Sequence, residues 1–312
     1  MTYDPADVRA AQEHFGFARP APIEKDWHIL RAMSAIIGVD TGPFSLVFAG
    51  GTCLARAHKL VYRMSEDVDF KVMPADNTPM SKTKRRKELG NLRDRITRRL
   101  QASGFEIDPA DSAQVRSRDD NRYTLYQLPY GVTENTGQPL RPSIQVELNY
   151  VTLRLAPVHL PVASFIAEAF GRPPEVPVIA CVSVDETAGE KLVSLTRRTA
   201  MELAGLGPGP DPTLVRHIYD LHVTRAHYSA TAVTKLAREI IPLDAEEFVN
   251  QFPAYRDNPM EETQRALAAL ATDSRYSRRY GDFLELMVYG DKPPYEDAIV
   301  TVSSLVQALA IA

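Results

Sequence analysis

The sequence predicts an α+β protein in which a domain built around a mixed sheet is followed by a helical domain. Stretches in which apolar and polar residues alternate, the pattern of half-buried strands, all lie in the first part of the 312 residues. The remainder repeats apolar residues at spacings of three and four, the pattern of helices. We therefore predict a boundary near residue 180, between residues 1–180 and residues 181–312.

The composition is that of a folded protein with a large core. Hydrophobic residues make up 44% of the chain and charged residues 24%, which excludes a disordered protein. The two cysteines, Cys53 and Cys181, are too few for a disulfide scaffold and show no spacing typical of metal ligands, so we expect a reducing compartment. The N-terminus lacks the features of a signal peptide, and no run of about twenty apolar residues occurs. These observations predict a cytoplasmic protein without a membrane segment.

The first elements are two helices, predicted over residues 5–13 and 24–37, and a strand in the apolar run FSLVFAG. A glycine pair ends this strand and indicates a tight turn. The next segment, TCLARAHKLVY, has helical spacing. In the following segment, EDVDFKV, apolar residues alternate with Asp67 and Asp69, so we predict a strand with one apolar face and one face that carries both carboxylates.

A strongly basic helix is predicted from Ser81 to about Ser103, with leucines and isoleucine on one face. Two further strands are predicted, in RYTLYQLPY and SIQVELNYVTL, on either side of the turn-rich loop GVTENTGQPLRP. In the second of these strands, Glu147 lies on the face opposite to the apolar one. The proline-rich segment GRPPEVPV predicts a linker or crossing segment before the helical domain.

The helical domain opens with a predicted capping box, in which Ser183 precedes Glu186 by three residues. Helices are predicted in DETAGEKLVSLTRRTA and in TLVRHIYDLHVTR, with a break at GLGPGPDP between them. Further helices are predicted over residues 231–239, 244–250, 260–271, 277–288 and 295–310.

The pair Asp67 and Asp69 points to chemistry on phosphates. Side chains at positions i and i+2 of a strand lie on the same face, so both carboxylates can bind divalent cations, which prefer such oxygens. Two such ions can clamp the attacking and the leaving oxygen in nucleotidyl transfer. Glu147 is the candidate for a third ligand. Taken alone, however, acids at alternate strand positions are usually a solvated face.

The turn formed by Gly50, Gly51 and Thr52 offers backbone N–H groups next to a helix start, where phosphate oxygens bind readily. Arg63 and Ser65 directly precede the acid pair and can contact the triphosphate or the acids. A glycine pair alone most often means only a tight turn. The whole order of strand, Gly-Gly-Thr, helix, Arg-x-Ser-x-Asp-x-Asp strand and later acidic strand is what favours a nucleotide site.

The segments FAGGTCLARAH and YRMSEDVDF resemble the signature of the DNA polymerase beta nucleotidyltransferase superfamily, in the version carried by AbiEii/AbiGii-type toxins, which include the MenT toxins. EKDWHILRAM, IQVELNY, DETAGEKLVSLTRR and RHIYDLH resemble further motifs of that family, so the resemblance covers residues 24 to about 222. The C-terminal MVYGDKPPYED resembles it more loosely. The resemblance implies a polymerase-beta-like fold whose helical domain completes the nucleotide cleft.

The resemblance also implies roles for single residues. Asp67 and Asp69 become metal ligands, and Ser65 and the glycine turn contact the nucleotide phosphates. Lys191 becomes a triphosphate contact or catalytic group, and Asp220 a second functional acid. Arg198 shares a helical face with Lys191 and is a further candidate for nucleotide binding, although a solvated face explains it equally well. For Asp220 the structural alternative is an exposed ion pair with Arg216.

The function implied is transfer of a nucleoside monophosphate from an NTP, with Mg²⁺ or Mn²⁺, to the 3′ end of tRNA by a toxin that an antitoxin restrains. The basic helix is the candidate RNA-binding surface, through Lys82, Lys84, Arg85, Arg86, Lys87 and Arg93. The alternative for that helix is a solvated amphipathic surface. The alternatives for the protein are a transferase that labels a protein or small molecule, a non-catalytic nucleotide-binding regulator and, less favoured, a kinase.

Overall fold

The computed structural model describes residues 3–76, 80–131, 140–207 and 209–310. The chain folds into two compact units. The first contains Met1–Lys59 and Met64–Val182, and the second contains Leu60–Arg63 and Ser183–Ala312. Most of the predicted loop GVTENTGQPLRP lies outside the described residues. Within the described ranges, no helix is long and apolar enough to span a bilayer.

The first unit contains a seven-stranded sheet with the order β3-β4-β5-β2-β1-β7-β6. Its strands are β1 (Phe44–Ala49), β2 (Asp67–Pro74), β3 (Val115–Arg118), β4 (Tyr123–Pro129), β5 (Ser143–Tyr150), β6 (Val158–Val162) and β7 (Val176–Cys181). The central strand β2 pairs antiparallel with β1 and parallel with β5, which makes the sheet mixed and confirms the predicted α+β class.

The alternation in β2 and β5 sets which face of the sheet is buried. Val68, Phe70 and Val72 of β2 are buried, whereas Asp67 and Asp69 remain partly exposed on the opposite face. In β5 the residues Ile144, Val146 and Leu148 are buried in the same core, and Glu147 is only partly buried. The predicted faces of both strands are therefore confirmed.

Helices of the first unit are α1 (Pro5–Phe15), α2 (Ala21–Ile37), the single turn α3 (Gly50–Thr52), α4 (Lys82–Ala102) and α5 (Phe165–Ala169). The predicted basic helix is confirmed as α4. Ser81 caps it by accepting a hydrogen bond from the Lys84 N–H at 3.3 Å. Its apolar stripe, formed by Leu89, Leu92, Ile96 and Leu100, packs into the core of the sheet.

Two predictions for this unit are wrong. The helix predicted in TCLARAHKLVY ends at Ala57 after a π-helical turn. The residues that follow, Leu60–Arg63, pack with the second unit, and Arg63 forms an isolated antiparallel β-bridge with Val288 there. The proline-rich segment predicted as a linker contains strand β7. Pro177 is tolerated there because β1 pairs with β7 at the distant Cys181, so no hydrogen bond from position 177 to β1 is needed.

The second unit is helical, with α6 (Val184–Leu203), α7 (Val215–Val223), α8 (Ala230–Glu247), α9 (Pro253–Asp257), α10 (Pro259–Thr272), α11 (Ser274–Met287) and α12 (Tyr295–Ala310). The predicted cap of α6 is confirmed, since the Ser183 hydroxyl accepts a hydrogen bond from the Glu186 N–H at 3.2 Å. The two helices predicted around Pro242 are one helix, α8. Burial of Ile240, Ile241 and Ala245 on a single face outweighs the hydrogen bond that Pro242 cannot donate.

Candidate active site

The sheet brings the three predicted carboxylates to one face. Asp67 and Asp69 alternate along β2, and Asp69 is the direct partner of Glu147 in the parallel register with β5. Partners in adjacent strands point to the same side of a sheet, so Glu147 shares a face with both aspartates. The prediction of a common carboxylate face therefore agrees with the strand register.

Gly50 is required by the position of Asp69. Its backbone is left-handed, with φ of 75°, and a Cβ atom there would overlap the Asp69 carboxylate and lie 2.8 Å from its Cγ. The glycine turn after β1 thus leaves space that the carboxylate of Asp69 fills. This close approach explains the glycine in physical terms and links the two motifs that the sequence separates by nineteen positions.

We predict that Gly50→Ala reduces any activity that depends on the Asp69 carboxylate by about a hundredfold or more, because the new methyl group displaces Asp69. Gly171→Ala is the matched control. Gly171 also has a positive φ, of 60°, but nothing lies within 4 Å of its would-be Cβ atom. Alanine in the left-handed conformation destabilises both variants by about 1 kcal/mol. Thermal unfolding measures this loss of stability in each variant. Equal activities of the two variants would contradict the assignment.

Thr52 ties the glycine turn to β2. Its side chain is buried, its hydroxyl donates a hydrogen bond to the backbone carbonyl of Asp67, and its Oγ1 lies 2.9 Å from Ser65 Oγ. These contacts give Thr52 and Ser65 a role in holding the strand that carries the acids. Their predicted contact with nucleotide phosphates stays a prediction.

Arg141, which sequence reasoning missed, contacts the carboxylate face. Its Nη2 donates to both carboxylate oxygens of Asp67, at 2.6 and 2.9 Å, and its Nη1 donates to Gln145 Oε1 at 2.5 Å. The Gln145 amide in turn donates to Glu147 Oε1 at 2.5 Å. One guanidinium therefore touches Asp67 directly and reaches Glu147 through Gln145. Arg141 stands in a loop, where no periodic pattern could have identified it.

The carboxylate oxygens of this face are the ligands that a divalent cation prefers. Burial and the nearby charge of Asp67 raise the pKa of Glu147, against the hydrogen bonds from Gln145 and Tyr123 that lower it. Carboxylates that lie this close on one face attract a cation. Across the described ranges, however, no three His, Cys, Asp or Glu side chains are grouped as a metal site requires.

In the second unit, Asp220 forms a buried ionic cluster. Arg63 Nε and Nη2 donate to its two oxygens, each at 2.7 Å, and Lys191 Nζ lies 2.8 Å from Oδ2. The Asp220 side chain is 0% exposed. Burial alone would raise its pKa, but the charges and hydrogen bonds of Arg63 and Lys191 outweigh burial and hold the pKa of Asp220 below its usual range.

This cluster changes two interpretations. The alternative of an exposed pair between Asp220 and Arg216 is wrong, because Asp220 is fully buried and binds Arg63 and Lys191 instead. Arg63, predicted to contact the triphosphate or the acids of its own strand, uses its guanidinium on Asp220. The two motifs that resemble the family, around Arg63 and around Asp220, are therefore joined by a charge pair within one unit.

Arg198 is partly buried and has partners within the second unit. It forms an ion pair with Asp211, donates to Thr213 Oγ1 at 3.0 Å, and lies 2.9 Å from His217 Nε2. Burial, with the charges of Arg197 and Arg216, lowers the pKa of Arg198 to about 10. Its predicted contact with nucleotide stays a prediction, and any such contact competes with Asp211.

The predicted RNA-binding residues are concentrated in the first half of α4. Lys82 and Arg86 lie 3.0 and 3.8 Å from Asp120 oxygens, whereas Lys84 and Lys87 project into solvent. No acidic residue stands in the first turn of this helix. Positive charges near a helix N-terminus are unfavourable because they repel the positive end of the helix dipole. The helix dipole therefore does not explain this cluster.

The other two residues of this predicted surface have neighbours within the first unit. The guanidinium of Arg85 lies 5.4 Å from the centre of the Tyr150 ring. Arg93 donates to the adjacent Asp94 at 2.8 and 3.0 Å. An exposed pair such as Arg93–Asp94 contributes little to stability, so Arg93 can exchange its partner for a phosphate. Arg85 is half-buried against the ring.

Comparison with known proteins gives a family and a similar structure. The sequence model described as nucleotidyl transferase AbiEii toxin, type IV toxin–antitoxin system, matches residues 31–302. Among solved structures, MenT4, a nucleotidyltransferase toxin from Mycobacterium tuberculosis H37Rv, shares 17% identity and a TM-score of 0.48, over 97% of this chain and 98% of that chain. No curated protein sequence matches this chain. The family match spans well over half of the 312 residues.

Proposed function

The chain belongs to the AbiEii family of nucleotidyltransferase toxins, and on this premise we propose that it transfers a nucleoside monophosphate from an NTP to the 3′ end of tRNA and thereby blocks translation. The observation that carries the proposal is the packing of the Asp69 carboxylate into the space left by Gly50, with Asp67 and Glu147 on the same face. This arrangement joins the acidic strand to the turn proposed to receive phosphates. Family membership also implies an antitoxin as a partner.

The carboxylate face supplies the binding groups for the nucleotide's counter-ions. Asp67, Asp69 and Glu147 would hold Mg²⁺ or Mn²⁺, which supplies positive charge to neutralise the triphosphate and the leaving pyrophosphate. Backbone N–H groups of Gly50 and Gly51 are proposed to bind phosphate oxygens, since neither residue carries a side chain of its own. The roles of Lys191 and Asp220 in catalysis, and of Arg198 in nucleotide binding, belong to the same proposal.

The proposal is tested by following the label from the nucleotide. Purified protein is incubated with each of the four NTPs, labelled at the α phosphate or at the γ phosphate, together with purified tRNA. We expect the α label in tRNA and no transfer of the γ label. Transfer of the γ label would indicate a kinase. If protein or a small molecule becomes labelled while the tRNA does not, the acceptor is a different one. No transfer under any condition would favour a non-catalytic regulator.

A second observation supports RNA as the acceptor, namely the unfavourable placement of positive charge at the start of α4. We predict that the double variant Lys84→Ala with Lys87→Ala binds tRNA more weakly and with a smaller dependence on salt. If both side chains contact phosphates, the slope of log affinity against log salt falls by about 1.4 to 1.8. Filter binding between low and moderate salt measures this slope.

The control for that experiment is Lys235→Ala with Arg278→Ala, which removes two exposed positive charges from the helical unit. The two double variants have the same net charge, so a general loss of attraction affects both equally. An identical slope in the two would show that α4 is only a solvated surface. The cytoplasmic location predicted from the sequence stays part of the proposal.

A further inference from the structure

Arg141 places a positive charge at the carboxylate face from within the chain. Its Nη2 donates to both carboxylate oxygens of Asp67, one of the residues proposed to hold a divalent cation, and its Nη1 reaches Glu147 through the Gln145 amide. Three acidic side chains on one face repel one another unless a cation lies among them. In this structure the guanidinium supplies that positive charge.

The backbone of Arg141 is held by a buried ion pair. Lys25 Nζ lies 2.5 Å from Glu66 Oε2, and the two side chains are 0% and 2% exposed. The Arg141 N–H donates to the same Glu66 oxygen at 2.7 Å, and its carbonyl accepts from Lys25 Nζ at 2.7 Å. Glu66 immediately precedes Asp67 in the chain. The position of Arg141 beside Asp67 is therefore fixed by buried groups.

The side-chain contact itself is more easily broken than this anchor. The Arg141 side chain is 37% exposed and that of Asp67 is 28% exposed. Partly exposed ion pairs are weak because water competes for both charges. A divalent cation carries twice the charge and binds carboxylate oxygens directly, so it can take the place of the guanidinium. The anchor keeps the displaced guanidinium close to the carboxylate face.

We propose that Arg141 is an internal counter-ion that competes with the divalent cation for Asp67. Binding of the cation alone is opposed, because it must displace the guanidinium. Binding together with a nucleoside triphosphate is favoured, because the phosphates offer the displaced guanidinium new oxygens to bind. By moving from Asp67 to the phosphates, the Arg141 guanidinium couples metal binding to nucleotide binding. The inference rests on the proposed role of Asp67 as a cation ligand.

The test is Mn²⁺ binding without nucleotide, measured by electron paramagnetic resonance on the full-length protein. We expect Arg141→Gln to bind Mn²⁺ at least about fivefold more tightly than wild type, within the usual range of coupling between sites. Arg141→Lys keeps the charge but loses the planar fork, so its affinity should lie between the two. Arg9→Gln, an exposed arginine of α1, serves as the charge-matched control and should not change binding.

Two outcomes separate this inference from the proposed function. If Asp67→Asn abolishes Mn²⁺ binding but neither Arg141 variant binds more tightly than wild type, Arg141 is a structural ion pair and the inference is wrong. If Asp67→Asn leaves Mn²⁺ binding unchanged, the cation site itself is wrongly assigned. Should Arg141→Gln prove unfolded by circular dichroism, the comparison of Arg141→Lys with wild type decides alone. An affinity of Arg141→Lys equal to wild type would then overturn the inference.

Discussion

We expect Asp69→Asn to reduce nucleotidyl transfer roughly a thousandfold or more, because its carboxylate is proposed to bind the nucleotide's divalent cation. The substitution removes one negative oxygen from the face shared with Asp67 and Glu147. A ligand loss that raises the barrier by about 4 kcal/mol lowers the rate by this factor. Asparagine is chosen because it keeps the shape that fills the space beside Gly50. The loss is measured in single-turnover transfer assays.

The matched control for this prediction is Asp76→Asn, which neutralises an exposed aspartate just beyond the end of β2. We expect this variant to retain activity within a factor of about two, since exposed substitutions remote from the site are usually near neutral. Circular dichroism and thermal unfolding should show that Asp69→Asn remains folded. A folded Asp69→Asn protein with undiminished transfer would remove the basis for placing the chemistry on this face.

Asp220→Ala destabilises the protein by about 3 to 5 kcal/mol, the usual consequence of removing one partner from a buried ion pair. Arg63 and Lys191 both bind this carboxylate, and Arg63 is itself buried. Without Asp220, two positive charges remain close together with their counter-charge removed. Because whole proteins have net stabilities of only about 5 to 15 kcal/mol, this loss threatens folding at physiological temperature. Denaturant unfolding monitored by circular dichroism gives the free energy directly.

Lys191→Met distinguishes a structural role of this cluster from a catalytic one. Asp220 then keeps its forked contact with Arg63, so we expect a smaller loss of stability than in Asp220→Ala. If Lys191 also contacts the triphosphate, transfer falls strongly although the protein remains folded. Asp257→Ala, at an exposed position on α9, is the control for stability. Equal stability of Asp220→Ala and Asp257→Ala would contradict the interpretation of a buried cluster.

The pH dependence of stability follows from the same cluster. The pKa of Asp220 in the folded protein lies below its ordinary value, so the unfolded chain takes up the proton first as the solution is acidified. The stabilisation is therefore complete above the ordinary aspartate range, declines as the pH falls below that range, and is lost once the pH has fallen through the depressed pKa. The difference in unfolding free energy between wild type and Asp220→Ala should accordingly persist from pH 7 to pH 5 and shrink under strongly acidic conditions.

The periodic patterns predicted the faces of individual elements well. Alternation in β2 and helical spacing in α4 indicated which side chains are buried, because burial of one face is a local property of a strand or helix. Patterns failed where neighbours override local preference. Strand β7 forms although it contains Pro177, because its neighbours in the sheet hold it, and helix α8 passes through Pro242 because its apolar face continues on both sides.

The sequence by itself determined the family, the α+β class and the common face of Asp67 and Asp69, since motif order and side-chain alternation are written in neighbouring residues. Only the tertiary structure decided which charges meet. Arg141 reaches Asp67 from 74 positions away, and Arg63 reaches Asp220 from 157. The physical reason is that an ion pair depends on distance in space, which the path of the folded chain sets and which no local spacing encodes.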